Sequence, residues 1–176
     1  DVHPHGAGHT VAAAGAAVVQ AEEGELYPSV AGSDGTMGHV LACESRVQND
    51  WQQKEADRKT YIDMDGTAVF KFAVRKMPEM AKSLMTQMHC TEADIDWFIT
   101  HQANERIIEA IAKRLKSDIA KFPMNIAECG NTSSASIPIL LDEMNRSGQL
   151  KDGQKIIMAG FGAGLSWGAV YMEWHA

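Results

Sequence analysis

Three short segments hold most of the residues in this 176-residue chain that could take part in chemistry. They are His101-Gln102-Ala103-Asn104, Gly130-Asn131-Thr132-Ser133-Ser134-Ala135-Ser136 and Gly160-Phe161-Gly162-Ala163-Gly164-Leu165-Ser166-Trp167-Gly168. A neutral imidazole and a carboxamide can each offer an N–H near neutral pH, the imidazole only in the right tautomer. Glycines admit tight turns and let backbone N–H groups approach closely. Taken singly, each segment has a plainer reading. A lone histidine near a core is more often a satisfied structural group. Asn131-Thr132-Ser133 matches a common glycosylation pattern. The glycine segment leads into a strand and lacks the Lys-Ser/Thr of a phosphate-binding loop. Cys129, close to Asn131, reads as a structural thiol, because a nucleophile needs a lowered pKa.

The elements that must position these residues follow from periodicity and punctuation. The small apolar run Val11 to Ala21 reads as a buried strand, and residues 22–62 as an irregular excursion around a short strand near Val40-Leu41. From Val69 to Met88 the spacing turns helical, with Phe70, Val74, Met77, Leu84 and Met88 as the stripe. Pro78 predicts a kink or a break there. Thr91-Glu92-Ala93-Asp94 is a capping signal for a short turn, and Trp97 to Thr100 is a buried strand that delivers His101 at its end. Asn104 can cap a helix over Glu105 to Lys116, with Ile107, Ile108, Ile111 and Leu115 on its apolar face. The Asn131 segment turns into a helix through Met144 that stops at Gly148. Lys155 to Ala159 and Trp167 to Trp174 are strands around a tight loop at 160–164. Alternating strands and helices predict an α/β layered domain.

Bulk properties narrow the function. A net charge of −7 argues against a general nucleic-acid binder, and no apolar run reaches membrane-spanning length. Cys43, Cys90 and Cys129 are an odd, sparse set that makes neither a disulfide framework nor a CxxC site, so a cytoplasmic location is expected. His3, His5 and His9 lie in a loose, Gly-rich start, and spacing alone does not make them a metal site; none is expected.

In order and spacing, the three segments resemble the histidine motif, the asparagine motif and the glycine loop of the β-ketoacyl-acyl-carrier-protein synthase III family. Met64-Asp65-Gly66-Thr67-Ala68-Val69-Phe70-Lys71 resembles that family's stretch before its acyl-pocket helix. The resemblance runs from about Gly32 to Trp174. It implies a thiolase-like α/β fold, a mixed sheet layered with helices, of which this chain is the C-terminal half. Residues 1–31 would hold an N-terminal segment and first strand, and 32–176 the condensing-enzyme domain. The implied activity is decarboxylative Claisen condensation of an acyl-coenzyme A primer with malonyl-acyl-carrier protein, with no metal or redox cofactor. By resemblance His101 and Asn131 stabilise the thioester enolate, and Phe161, Gly162 and Ala163 form the oxyanion loop. Gly66, Phe70, Ala103 and Asn104 line the substrate tunnel, and Arg106, Lys113 and Arg114 offer a basic face to the acidic carrier protein. The same basic residues can be read as a solvated helix face.

The sequence departs from the family in three places. The nucleophilic cysteine would lie farther upstream than residue 1, so an N-terminal half is expected as a partner, and the complete enzyme as a homodimer. The start at Asp1 fits a processed, split or truncated product. Ala163 stands where the family usually has glycine, and its methyl group could disfavour a positive φ. Residues 6–15 lack the expected Phe-Gly-Asp-Gly-type turn and basic residue. Two further readings stay open: a starter or acyl-transfer ketosynthase of secondary metabolism, and a non-catalytic docking half.

Overall fold

A computed structural model describes residues 13–17, 27–43 and 62–175. The regular elements are β1 (Ser29–Ser33), β2 (Leu41–Ala42), β3 (Asp63–Met64), α1 (Gly66–Gln87), β4 (Trp97–Thr100), α2 (Glu105–Leu115), α3 (Ile126–Cys129), α4 (Ser136–Arg146), β5 (Lys155–Gly162) and β6 (Ser166–Glu173). One four-stranded sheet has the order β1-β6-β5-β4. β4 runs parallel to β5, whereas β6 is antiparallel to both β5 and β1. The expected mixed sheet is therefore present.

Strand alternation divides the side chains between the sheet's two faces. On one face Phe98, Ile157, Ala159, Ala169 and Tyr171 meet α1 and α2 through Met77, Met80, Leu84, Ile107, Ile108 and Ile111. On the other, Ile99 and Ile156 meet Leu140 and Met144 of α4, with Leu150. Helices thus cover both faces. A smaller cluster of Val40, Val69, Phe72 and Leu165 packs the turn Gly35–Val40 beside the β5–β6 connection, and the Asp34 N–H donates to the Leu165 carbonyl at 2.7 Å.

The structure corrects several expectations. Residues 13–17 are exposed and outside any strand, and the remainder of the Val11–Ala21 run lies outside the described residues. The strand on that side of the sheet is β1, which crosses the 31/32 position and whose short, Gly-containing sequence carries no strand signal. β2 falls where a strand near Val40-Leu41 is expected. α1 runs unbroken through Pro78. Proline cannot supply the N–H that would bond the Val74 carbonyl, but its ring is buried in the core, which helps offset that loss. The buried stripe of α1 is Val69, Phe72, Ala73, Met77, Met80, Ala81, Leu84 and Met85. Phe70 is 38% exposed instead, because Val69 and Ala73 set the phase of the first turns. Finally, β5 and β6 stay paired out to Gly162 and Ser166, so the loop shrinks to residues 163–165.

Other expectations hold. The Thr91 N–H and hydroxyl both donate to the Asp94 carboxylate, at 2.7 and 2.6 Å, fixing the short turn before β4. The Ile107, Ile108, Ile111 and Leu115 stripe of α2 is buried. Gly148, at φ +69°, ends the α4 segment in the left-handed region that favours glycine.

Candidate active site

β4 is buried on both faces and pairs with β5 through Thr100 and Ala159. The chain leaves the strand at His101, whose backbone N–H still donates to the Ala159 carbonyl at 2.9 Å. The site therefore begins where the ladder ends. Gln102 is completely buried and locks this exit. Its side-chain amide donates to the Thr100 carbonyl at 2.9 Å and the Pro123 carbonyl at 3.4 Å, while its carbonyl oxygen accepts the Asn125 N–H at 3.3 Å.

The His101 ring is half-buried. Its Nδ1 lies 2.7 Å from Oγ of Ser136, the first residue of α4, and its ring sits edge-on to Phe161 at 5.5 Å between centroids. A Cβ placed on Gly160 would lie 3.9 Å from the His101 Cβ and from Ile137 Cδ1, so β5 passes close beneath the histidine. Burial pushes the His101 pKa below its ordinary value. The charged form is the one burial disfavours, so the ring is neutral at neutral pH and carries one N–H.

Asn131 is exposed and sits in a strained turn: Gly130 has φ +65° and Ser133 has φ +54°. Positive φ at a non-glycine residue is uncommon and concentrates at functional turns. The Asn131 carbonyl oxygen accepts the Ser133 N–H at 3.0 Å, which turns the carboxamide by its own loop. Among the described hydrogen bonds its amide nitrogen has no partner, so both N–H groups are available to a ligand. No described contact joins Asn131 to His101; the two are linked only along the chain, through Ser136 five positions after Asn131.

The remaining predicted residues separate. Phe161 contacts His101 and Phe72, whereas Gly162 ends β5 with open space where a Cβ would stand. Ala163 is exposed and adopts a negative φ, so its methyl group carries no backbone cost. The positive φ of this connection falls on Gly164, at +135°. Asn104 caps α2, its Oδ1 accepting the Arg106 N–H at 2.9 Å, and Ala103 packs against the core. Gly66 opens α1 with nothing within 4 Å of where a Cβ would stand, and no described contact joins Gly66 or Phe70 to His101. Arg106, Lys113 and Arg114 are exposed on α2, and no described ion pair neutralises them.

Two of the thiols, Cys129 and Cys90, are poor nucleophiles here. Burial, then the nearby Glu143 carboxylate, raises the Cys129 pKa, and burial with Asp94 raises that of Cys90. No group of three or more His, Cys, Asp or Glu able to hold a metal occurs among the described residues; His3, His5 and His9 lie outside them. No described helix is long and apolar enough to cross a membrane.

The sequence alone assigns Ser136 no role. It stands only as the last residue of a Ser-rich turn, and its contact with a histidine 35 positions away is visible only in three dimensions.

Comparison with known proteins bears on this geometry. Residues 85–174 match the family described as 3-oxoacyl-[acyl-carrier-protein (ACP)] synthase III C terminal. The chain is 44% identical over 164 residues to the beta-ketoacyl-[acyl-carrier-protein] synthase III of Clostridium novyi, covering 92% of this chain and 51% of that protein. With its counterpart from Clostridioides difficile the identity is 44% over 165 residues, covering 92% and 50%. The chain thus spans about half the length of these relatives. Among solved structures, the 3-oxoacyl-(acyl carrier protein) synthase III of Pseudomonas aeruginosa PAO1 superposes with a TM-score of 0.76 at 36% identity, covering 91% of this chain and 47% of that one. The priming beta-ketosynthase of the R1128 polyketide biosynthetic pathway gives 0.74 at 34%, covering 84% and 44%. With a mixed sheet clad in helices on both faces, the fold is thiolase-like, and the chain belongs to the 3-oxoacyl-[acyl-carrier-protein] synthase III C-terminal family.

Proposed function

We propose that this chain supplies the His–Asn part of a decarboxylative condensing site, whose acyl-carrying cysteine comes from residues outside this sequence. The observation that carries the reading is a half-buried histidine, kept neutral by burial, at a strand end beside the segment that bears Asn131. In this reaction the C–C bond to the malonyl carboxylate breaks, CO2 leaves, and the electron pair passes into a thioester enolate. One imidazole N–H and one carboxamide N–H donate to the enolate oxygen. The enolate carbon then attacks the acyl-cysteine carbonyl, and collapse of the tetrahedral oxyanion expels the thiolate. Neutral donors suit this role because they stabilise charge that appears in the transition state without neutralising it by proton transfer.

The primer in this reading is an acyl-coenzyme A, and the extender is malonyl-acyl-carrier protein. No resident cofactor is required, and the work is cytoplasmic, on a homodimer of the complete enzyme. Arg106, Lys113 and Arg114 steer the acidic carrier protein, while Gly66, Phe70, Ala103 and Asn104 border the substrate path. Backbone N–H groups near Phe161, Gly162 and Ala163 face the acyl oxyanion. A starter-unit ketosynthase is the second reading, supported by the likeness to the R1128 priming enzyme.

The test uses the complete enzyme with primer and malonyl thioester. His101→Ala and Asn131→Ala are each expected to lower the condensation rate about 10²- to 10³-fold, the usual effect of deleting one oxyanion donor. Unchanged turnover in either variant would reject that residue's role.

A further inference from the structure

We propose that Ser136 is a positioning residue whose hydroxyl donates to His101 Nδ1 and thereby holds the imidazole as the Nε2–H tautomer, with Nε2–H as the donor toward substrate. This rests on the condensing role given to His101 above and adds the group that makes the role possible. Two contacts converge on Ser136 Oγ: the backbone N–H of Gln102 at 3.3 Å and His101 Nδ1 at 2.7 Å. A backbone N–H can only donate, so one lone pair of Oγ is committed to Gln102.

That commitment is rigid. Gln102 is completely buried and tied at both ends of its side chain, to the Thr100 and Pro123 carbonyls and to the Asn125 N–H. Ser136 is itself 2% exposed, so water does not compete for its hydroxyl. A hydroxyl has one hydrogen to give, and among the described hydrogen bonds His101 Nδ1 is the only acceptor in its reach. With the O–H donating, Nδ1 must present its lone pair. A neutral imidazole then carries its hydrogen on Nε2.

The position of Ser136 at the start of α4 acts in the same sense. The eleven-residue helix presents its positive end there, which disfavours an imidazolium and favours an electron pair facing it. The β4 exit with its Gln102 lock and the α4 start are set by different parts of the chain, and they meet on one oxygen atom.

The complete enzyme, labelled with 15N at histidine, provides the test. In the unmodified protein His101 is expected to show a protonated Nε2 and an unprotonated Nδ1. Ser136→Ala is expected to shift the ring toward the Nδ1–H form and to lower kcat for malonyl decarboxylation about 10- to 100-fold, with KM little changed. Ser136→Thr keeps the hydroxyl and is expected to restore both the Nε2–H signature and most of the rate. A protonated Nδ1 in the unmodified enzyme overturns the inference even if Ser136→Ala does not fold. So does a Ser136→Ala protein that keeps both the Nε2–H form and full kcat. These results differ from failure of the condensing role itself, which would show as unchanged turnover in His101→Ala whatever tautomer is observed.

Discussion

His101 leaves β4 with its backbone still bonded to β5 and its ring held between Phe161 and Ser136. Its pKa is lowered by burial, so the folded protein binds fewer protons at this site than the unfolded chain does. Stability at this site is therefore full above the unfolded value, near 6.5, and declines as pH falls from there toward the lowered folded value. An NMR titration is expected to show the His101 ring protonating at lower pH than a free histidine; a value at or above the ordinary one would contradict the buried, neutral ring. At Cys129 the sign is reversed: burial and Glu143 keep the thiol protonated. Cys129→Ser is accordingly expected to leave turnover within about twofold of the parent enzyme in a steady-state assay. Both residues are legible in sequence. His101 stands out through its neighbours Gln102-Ala103-Asn104, and Cys129 reads as a structural thiol next to a turn, its raised pKa being visible only in the folded chain. Ser136 is not legible, since no periodicity relates the end of a strand to the start of a helix 35 residues later.

At the scale of elements, α2 is the easiest to read. A polar cap, an isoleucine stripe and basic residues in the last turn all agree, and the helix forms as expected. Asn104→Ala removes the side-chain acceptor for the Arg106 N–H and is expected to cost about 1 kcal/mol in a denaturant melt. No loss of stability would mean that the cap is made by other groups. α1 is readable in place but not in phase, because the sequence pattern picks Phe70 as the anchor, whereas Phe72 is the phenylalanine that is buried. In the folded chain the smaller Val69 and Ala73 are buried, and Phe70 is left to the surface. β1 is hidden altogether. Its sequence, Ser-Val-Ala-Gly-Ser, has little β propensity, and its position depends on pairing with β6. Gly32 in that strand faces the Trp167 indole so closely that an added Cβ would lie 2.6 Å from a ring carbon. Gly32→Ala is expected to destabilise the protein by about 1–3 kcal/mol, the range for overpacking, and a melting temperature equal to the parent's would show that the indole moves freely.

Over the whole molecule, layered packing and surface charge have different origins. The α/β layering is legible from alternating elements. Which helices share a face of the sheet is not, because that depends on the antiparallel β5–β6 pairing, part of which reads as loop in sequence. In a chain with a net charge of −7, the exposed face of α2 carries Arg106, Lys113 and Arg114 together with Glu105 and Glu109. If that face steers an acidic carrier protein, Arg106→Glu combined with Arg114→Glu should slow association and flatten its dependence on salt. An unchanged association rate at low ionic strength would reduce those residues to a solvated helix face.

Assigning His101 to the enolate oxygen separates two half-reactions. In the complete enzyme, His101→Ala should still accept the primer acyl group on its cysteine, as read by intact mass. Release of CO2 from a malonyl thioester in a single turnover should fall about 10²- to 10³-fold. Equal loss of both steps, or CO2 release at the parent rate, would contradict the assignment of this histidine to the enolate oxygen.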